Sequence, residues 1–137
     1  MELTKCLVVD DDPVGRELMR TYLEKVQSVD VAVDGKDAIE KFQAAYLSGA
    51  PYQLIFLDIV MPDLSGHEVG KTIRAFEKEQ GVVLGGQVKI VMLTSLKGAQ
   101  DVMQAMMEAQ SSAYLTKPVD PAKVRETAGK VGLSIPR

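Results

Sequence analysis

The chain has 137 residues, 46% of them hydrophobic and 26% charged, which predicts one globular domain and excludes a disordered or low-complexity chain. No apolar run approaches the roughly 20 residues of a membrane span, and the first residues lack a signal-peptide pattern, so we expect a cytoplasmic protein. The net charge of −3 argues against direct nucleic-acid binding, and the single cysteine, Cys6, excludes an internal disulfide or a thiolate metal cluster.

Short β-rich apolar segments alternate with longer segments of helical spacing. In chain order, the predicted elements are a strand at 6–9, a helix at 13–27, a strand at 29–33, a helix at about 37–47, a strand at 54–57, a helix at about 65–80, a strand at 88–93, a helix at about 98–110, a strand at 113–116 and a helix at about 121–131. Pro13 suits the first turn of the first helix, where Val14, Leu18 and Met19 lie on one apolar stripe.

This alternation predicts an α/β fold with a parallel sheet. The first, third and fourth strands are continuously apolar, as expected when helices cover both faces of the sheet. With right-handed crossovers, the topology that fits best is a three-layer, doubly wound (βα)5 fold of the flavodoxin-like type. Its five parallel strands are expected in the order 2-1-3-4-5.

Polar side chains that could form a site follow four of the five predicted strands, whereas Asp34-Gly35 after the second strand is typical of an ordinary turn. Asp10-Asp11-Asp12 follow the first strand, Asp58 the third, Thr94-Ser95 the fourth and Lys117 the fifth. Ligands of open parallel sheets bind beyond the carboxyl ends of the strands, where these side chains should meet.

Clustered carboxylates raise one another's pKa values unless a cation neutralises them. Oxygen ligands suit Mg²⁺, and no His or Cys follows these strands to favour zinc, so we expect a magnesium site with Asp11 and Asp58 as leading ligands. A carboxylate beside Mg²⁺ and a lysine can act as a nucleophile toward a phosphoryl group. Asp58 is the candidate nucleophile, with Lys117 and Thr94 holding the transferred group.

Four segments together resemble the receiver domain of response regulators in two-component phosphorelay signalling. They are Leu7-Val8-Val9-Asp10-Asp11-Asp12-Pro13, Leu57-Asp58-Ile59-Val60-Met61-Pro62-Asp63-Leu64-Ser65-Gly66, Val91-Met92-Leu93-Thr94-Ser95 and Tyr114-Leu115-Thr116-Lys117-Pro118. The resemblance covers residues 3–131, which we expect to be the receiver domain. Residues 132–137 are expected to be a short, frayed C-terminal tail, and the receiver to be a stand-alone one similar to the chemotaxis regulators.

The resemblance implies that the chain is a phosphoprotein. Its Asp58 would accept a phosphoryl group from a histidine kinase or a histidine phosphotransfer protein. It implies Mg²⁺ binding by Asp10, Asp11, Asp58 and the backbone carbonyl of Val60.

The resemblance also implies that Thr94, Ser95 and Lys117 contact the phosphoryl group. Tyr114 would reorient with Thr94 as the switch, and the Lys117–Pro118 bond would be cis.

Binding of an unknown downstream protein is expected on the face formed by the fourth predicted helix, the fifth strand and the fifth helix. The chain would be a monomer or a phosphorylation-dependent dimer, without nucleic-acid or membrane binding. It would not be an enzyme beyond slow self-catalysed phosphorylation and dephosphorylation. A relay that passes phosphate to a histidine phosphotransfer protein stays open.

Two further alternatives are weaker. An aspartate-nucleophile phosphatase usually has a second carboxylate two residues after the nucleophile, where this chain has Val60. A degenerate receiver acting as a scaffold would not need the complete set of site residues.

Some features depart from the family pattern or have an ordinary structural interpretation. Residues 110–113 lack the usual glycine, Val119 replaces a common aromatic residue, and the glycine-rich loop at 81–86 is long. The apolar residues Val60 and Leu96 predict a long-lived phosphoryl group.

The ordinary interpretations are a helix cap for Asp12, a small buried hydrophobe for Cys6, no special role for His67, and core filling or a binding face for Met103, Met106 and Met107.

Overall fold

Five parallel strands form one sheet in the order β2-β1-β3-β4-β5, which confirms the predicted order. The computed structural model describes residues 1–95, 107 and 111–137. The strands are β1 (Lys5–Val9), β2 (Ser28–Ala32), β3 (Leu54–Asp58), β4 (Lys89–Thr94) and β5 (Ala113–Thr116). The residues of β3 are buried throughout, as predicted for a central strand between two helical layers.

Helices connect and flank these strands, and they complete the predicted three-layer α/β fold. Within the described residues they are α1 (Pro13–Tyr22), α2 (Gly35–Leu47), α3 (Gly66–Glu79), a short 3-10 helix (Leu84–Gly86) and the C-terminal helix (Pro121–Lys130). Two separate clusters of buried residues make up the core. The predicted helix at 98–110 lies outside the described residues, as do Leu96, Met103 and Met106, whereas Met107 is exposed. None of the described helices is long and apolar enough to cross a membrane.

The boundaries of the first two helices differ from those that the sequence predicted. The first ends at Tyr22 rather than at residue 27, with Leu23 as its C-cap. The second begins at Gly35 rather than at about residue 37, because the Asp34 side chain accepts the Asp37 amide and caps the helix there. Val14 and Leu18, which the sequence places on the apolar stripe of α1, are 66% and 45% exposed, whereas Met19 is buried.

Cys6 lies in β1 and is fully buried, in line with its interpretation as a small hydrophobe. Burial, together with the negative charge of Asp30, raises the pKa of its thiol to about 12. A thiol with so high a pKa carries almost no reactive thiolate at neutral pH.

The strand register brings the carboxyl ends of the central strands to one level. Val9 is paired with Leu57, Asp58 with Leu93, and Thr94 with Thr116. The residues that end these strands, or follow them directly, therefore lie along one edge of the sheet.

The two ends of the chain pair with each other at the opposite edge. The amide of Leu3 donates to the Ser134 carbonyl at 2.8 Å, and the amide of Ser134 donates to the Met1 carbonyl at 2.8 Å. Leu133 and Ile135 are both buried, at 5% exposure. The expectation of a frayed tail was wrong, because these two apolar side chains complete the hydrophobic cluster between the sheet, α1 and the C-terminal helix.

We expect Leu133→Ala to lower the free energy of unfolding by about 2–5 kcal/mol, because it opens a cavity in a packed cluster. The matched control is Leu47→Ala, at a residue that is 68% exposed, which should change stability by no more than about 0.5 kcal/mol. Urea unfolding of both variants measures the difference. Equal stabilities for the two variants would show that residues 132–135 do not pack on the core.

Candidate functional site

Three acidic residues converge where β1 and β3 end. Asp10, Asp11 and Asp58 each offer a carboxylate oxygen, and these oxygens all lie within 4.8 Å of one another. Asp10 and Asp58 are buried, at 2% and 5% exposure, whereas Asp11 is exposed. The structure thus brings together the carboxylates that the sequence predicted to meet.

Lys117 faces this acidic cluster. Its Nζ lies 3.0 Å from Oδ2 of Asp58 and 3.5 Å from Oδ2 of Asp10. Its backbone amide donates to the Thr94 carbonyl at 2.8 Å, and its peptide bond to Pro118 is cis, as the resemblance implied. The ammonium group therefore approaches both buried carboxylates from the end of β5.

The pKa values of this pair reflect burial and mutual charge. Burial raises the pKa of the Asp58 carboxyl and outweighs the lowering effect of the Lys117 hydrogen bond. Burial alone would lower the pKa of Lys117, but its hydrogen bond to Asp58 and the charges of Asp58 and Asp10 raise it. One ammonium thus faces three carboxylates, an arrangement that favours the binding of a further cation.

The two buried carboxylates are held by backbone groups. Oδ1 of Asp10 accepts the amide of Asp12 at 3.0 Å, and Oδ1 of Asp58 accepts the amide of Val60 at 3.3 Å. The side chain of Asp12 accepts the Val14 amide and caps α1, which confirms its ordinary interpretation. Arg16 adds a hydrogen bond from Nη1 to the backbone carbonyl of Asp10, at 2.8 Å.

Two glycines allow the backbone to pack tightly at this site. A β-carbon at Gly66 would lie 2.5 Å from the Asp58 carbonyl oxygen, and one at Gly15 would clash with Oδ2 of Asp10. Gly66 ends the motif around Asp58, and this close approach of the backbone is the physical reason for a glycine there. Gly15 and Arg16 were missed, because only their distance to Asp10 in the fold marks them.

The other predicted residues lie at or near the same edge of the sheet. Thr94 ends β4 and is 1% exposed, and Ser95 follows it and is exposed. Val60 has a side chain that is 64% exposed, and Tyr114 on β5 is 45% exposed. The small side chain of Val119 helps to line a cavity of about 360 Å³ that borders Asp10 and Lys117.

The donor set fits a hard cation. Among the described residues the cluster offers carboxylate oxygens and no imidazole or thiol, which is the chemistry that Mg²⁺ prefers over zinc. Such a cluster next to an ammonium group can bind a divalent ion and stabilise a phosphoryl group on a neighbouring carboxylate.

The family profile described as "Response regulator receiver domain" matches residues 6–128. The hybrid signal transduction histidine kinase L of Dictyostelium discoideum is 33% identical over 131 residues. That alignment covers 95% of this chain and 7% of the relative, so the chain spans a small part of that protein's length.

Two solved structures show the same fold. The first contains the receiver domain of Ssk1 from Saccharomyces cerevisiae with the histidine phosphotransfer protein Ypd1, at 29% identity and a TM-score of 0.78, covering 92% of this chain and 86% of that one. The second is the response regulator TrrA from Thermotoga maritima in complex with Mg²⁺–BeF, at 29% identity and a TM-score of 0.73, covering 94% and 99%.

We expect Asp58→Asn to raise the melting temperature by a few degrees when a chelator removes divalent ions. The pKa of Asp58 is higher in the folded chain than its ordinary value, so the ionised carboxylate opposes folding at neutral pH, and a neutral amide removes this cost.

The gain should disappear below pH 3.8, where Asp58 is protonated in both the folded and unfolded chain. Added Mg²⁺ should stabilise the wild type more than the variant. Thermal unfolding followed by circular dichroism measures both effects. A variant less stable than the wild type without metal would contradict the raised pKa of Asp58.

Proposed function

Because the chain belongs to the response regulator receiver domain family of two-component signalling, we propose that Asp58 accepts a phosphoryl group from a histidine kinase. The carrying observation is the buried Asp58 carboxylate with Lys117 Nζ at 3.0 Å and with Asp10 and Asp11 beside it. In the transfer, the phosphorus–nitrogen bond of a phosphohistidine breaks and a bond from phosphorus to an Asp58 carboxylate oxygen forms. The electron pair of the broken bond stays on the histidine nitrogen, and because the other ring nitrogen carries a proton, the leaving group is neutral imidazole.

Each neighbouring residue has a proposed role in this step. Mg²⁺, held by Asp10, Asp11, Asp58 and the Val60 carbonyl, would neutralise charge on the phosphoryl oxygens. Lys117 would leave its ion pair with the Asp58 carboxylate and bind a phosphoryl oxygen instead. Thr94 and Ser95 would donate further hydrogen bonds to the phosphoryl group. With a small acyl phosphate as donor, the same groups support slow self-catalysed phosphorylation, and water supports slow dephosphorylation.

The phosphorylated form would change binding to a downstream protein. Thr94, at the end of β4, would move toward the phosphoryl group and shift the half-exposed ring of Tyr114 on β5. Because β5 is an edge strand, this movement reaches the face formed by β5, the C-terminal helix and the predicted helix at 98–110. Whether the chain is a monomer or a phosphorylation-dependent dimer stays open, and the cytoplasmic location stays a prediction.

Residues 3–131 are proposed as the receiver unit, and residues 132–137 as a short C-terminal tail whose Leu133 and Ile135 pack in the core. The similarity to the receiver domain of Ssk1, the response regulator downstream of Ypd1, supports a histidine phosphotransfer protein as an alternative phosphoryl donor to Asp58. A phosphorelay role in the other direction, in which Asp58 passes its phosphoryl group to such a protein, stays a prediction. A phosphatase activity has less support, because Val60 has no carboxylate to act as acid or base.

Incubation with Mg²⁺ and acetyl phosphate should add the mass of one phosphoryl group to the chain. The reason is that Asp58 can attack an activated donor when the charge on the donor's phosphoryl oxygens is neutralised. Intact-protein mass spectrometry detects the adduct. Asp58→Asn should abolish it, whereas Asp34→Asn, at the cap of α2, should leave it unchanged. Continuous release of phosphate would favour a phosphatase, and no reaction would favour a scaffold.

The phosphorylated chain should keep its phosphoryl group for minutes or longer, because an apolar Val60 side chain cannot position an attacking water. Val60→Asn should shorten the lifetime several-fold by adding a polar group beside Asp58. Val33→Asn is the matched control, since Val33 is a partly exposed valine after β2. Loss of phosphate is followed by intact mass over time, and a wild-type half-life of seconds would contradict this prediction.

A further inference from the structure

We infer that Asp63 is a positioning residue, which fastens the loop after Asp58 to the N-terminus of α2. This inference rests on the proposed function, because the loop carries Val60, the proposed source of a carbonyl ligand for Mg²⁺. Asp63 lies outside the acidic cluster that surrounds Lys117.

The contact is made by both carboxylate oxygens of Asp63. Oδ1 accepts the amide of Gly35 at 3.1 Å, and Oδ2 accepts the amide of Lys36 at 3.0 Å. These amides are the first two of α2 and have no acceptor within the helix. Their hydrogen bonds, that from Lys36 first, lower the pKa of Asp63, so the carboxylate is ionised at neutral pH and is also favoured by the helix dipole.

The packing next to this contact leaves little space between the loop and the helix. A β-carbon at Gly35 would lie 2.8 Å from the β-carbon of Leu64 and 3.2 Å from its carbonyl oxygen. Gly35 is buried there, whereas Asp63 is exposed. The close approach of Leu64 and the two hydrogen bonds of Asp63 therefore act at the same point.

A second contact closes the other end of the loop. The amide of Gly66 donates to the carbonyl of Ile59 at 2.8 Å, so residues 59–66 form a loop that is joined at its base. Asp63 holds the tip of this loop, and Val60 lies between the base and the tip. The Val60 amide also donates to Asp58 Oδ1, at 3.3 Å, so a loop released at its tip would disturb both groups that Val60 presents to the site.

The test compares two alanine variants at the same helix end. Asp63→Ala removes the acceptor for Gly35 and Lys36 and frees the loop. Asp34→Ala removes the acceptor for the Asp37 amide and weakens the same helix N-terminus, but leaves the loop attached. Asp63→Asn keeps one carbonyl acceptor and should lie between the wild type and Asp63→Ala.

Two measurements separate positioning from stability. The first is calorimetric titration with Mg²⁺, at a temperature where every variant is folded. Asp63→Ala should bind Mg²⁺ with an affinity up to about tenfold lower than the wild type, which is at the low end of the losses seen when a residue that holds a metal ligand in place is removed. Hydrogen exchange of the Val60 amide, measured by NMR without metal, should be faster in the same variant. Asp34→Ala should lose thermal stability and keep wild-type values in both measurements.

Wild-type Mg²⁺ affinity and Val60 exchange in Asp63→Ala would overturn the positioning role. Equal losses in both alanine variants would also overturn it, because the effect would then belong to helix capping. A wild-type chain that binds no Mg²⁺ would contradict the proposed function itself. The wild-type titration therefore distinguishes the failure of the function from the failure of the Asp63 role alone.

Discussion

Two buried carboxylates that face one lysine ammonium are the interaction on which the site depends. Asp10 and Asp58 are almost completely buried, and Lys117 Nζ lies within 3.5 Å of both. With Asp11 beside them, the negative charge exceeds the positive charge, so the site is prepared for a divalent cation before any partner arrives. Under the proposed function, a phosphoryl group on Asp58 would add an anion that competes with these carboxylates for the lysine ammonium and for the divalent cation.

The sheet topology creates this interaction, and much of it is visible in the sequence. Continuous apolar strands and polar residues directly after them predicted the strand order and the convergence of Asp10, Asp58, Thr94 and Lys117 on one edge. The prediction succeeded because strand order and register determine where a residue at a strand end lies, independently of the conformation of the loops. The cap of α1 by Asp12 was predicted for a similar reason, since capping depends on neighbouring residues only.

Features that depend on contacts between distant residues were not predictable in this way. The packing of Leu133 and Ile135 requires the pairing of the two chain ends, and the early end of α1 at Tyr22 follows from the loop leading into β2. The closeness of Gly15 to Asp10 and of Asp63 to α2 leaves no pattern in a single sequence, because the partners are found only in the folded chain. In the sequence Asp63 is only one residue of the motif around Asp58, and its two hydrogen bonds to α2 supply a physical reason for an aspartate at this position.

The most direct measurement is a crystal structure of the chain grown with Mg²⁺ and beryllium fluoride, which forms a phosphoryl-like group on an ionised aspartate. We expect the fluoride group on Asp58, the metal bound by Asp10, Asp11, Asp58 and the Val60 carbonyl, and Lys117 in contact with a fluorine atom. A metal bound elsewhere, or Lys117 turned away while Asp58 stays unmodified, would contradict the central role of this charge cluster.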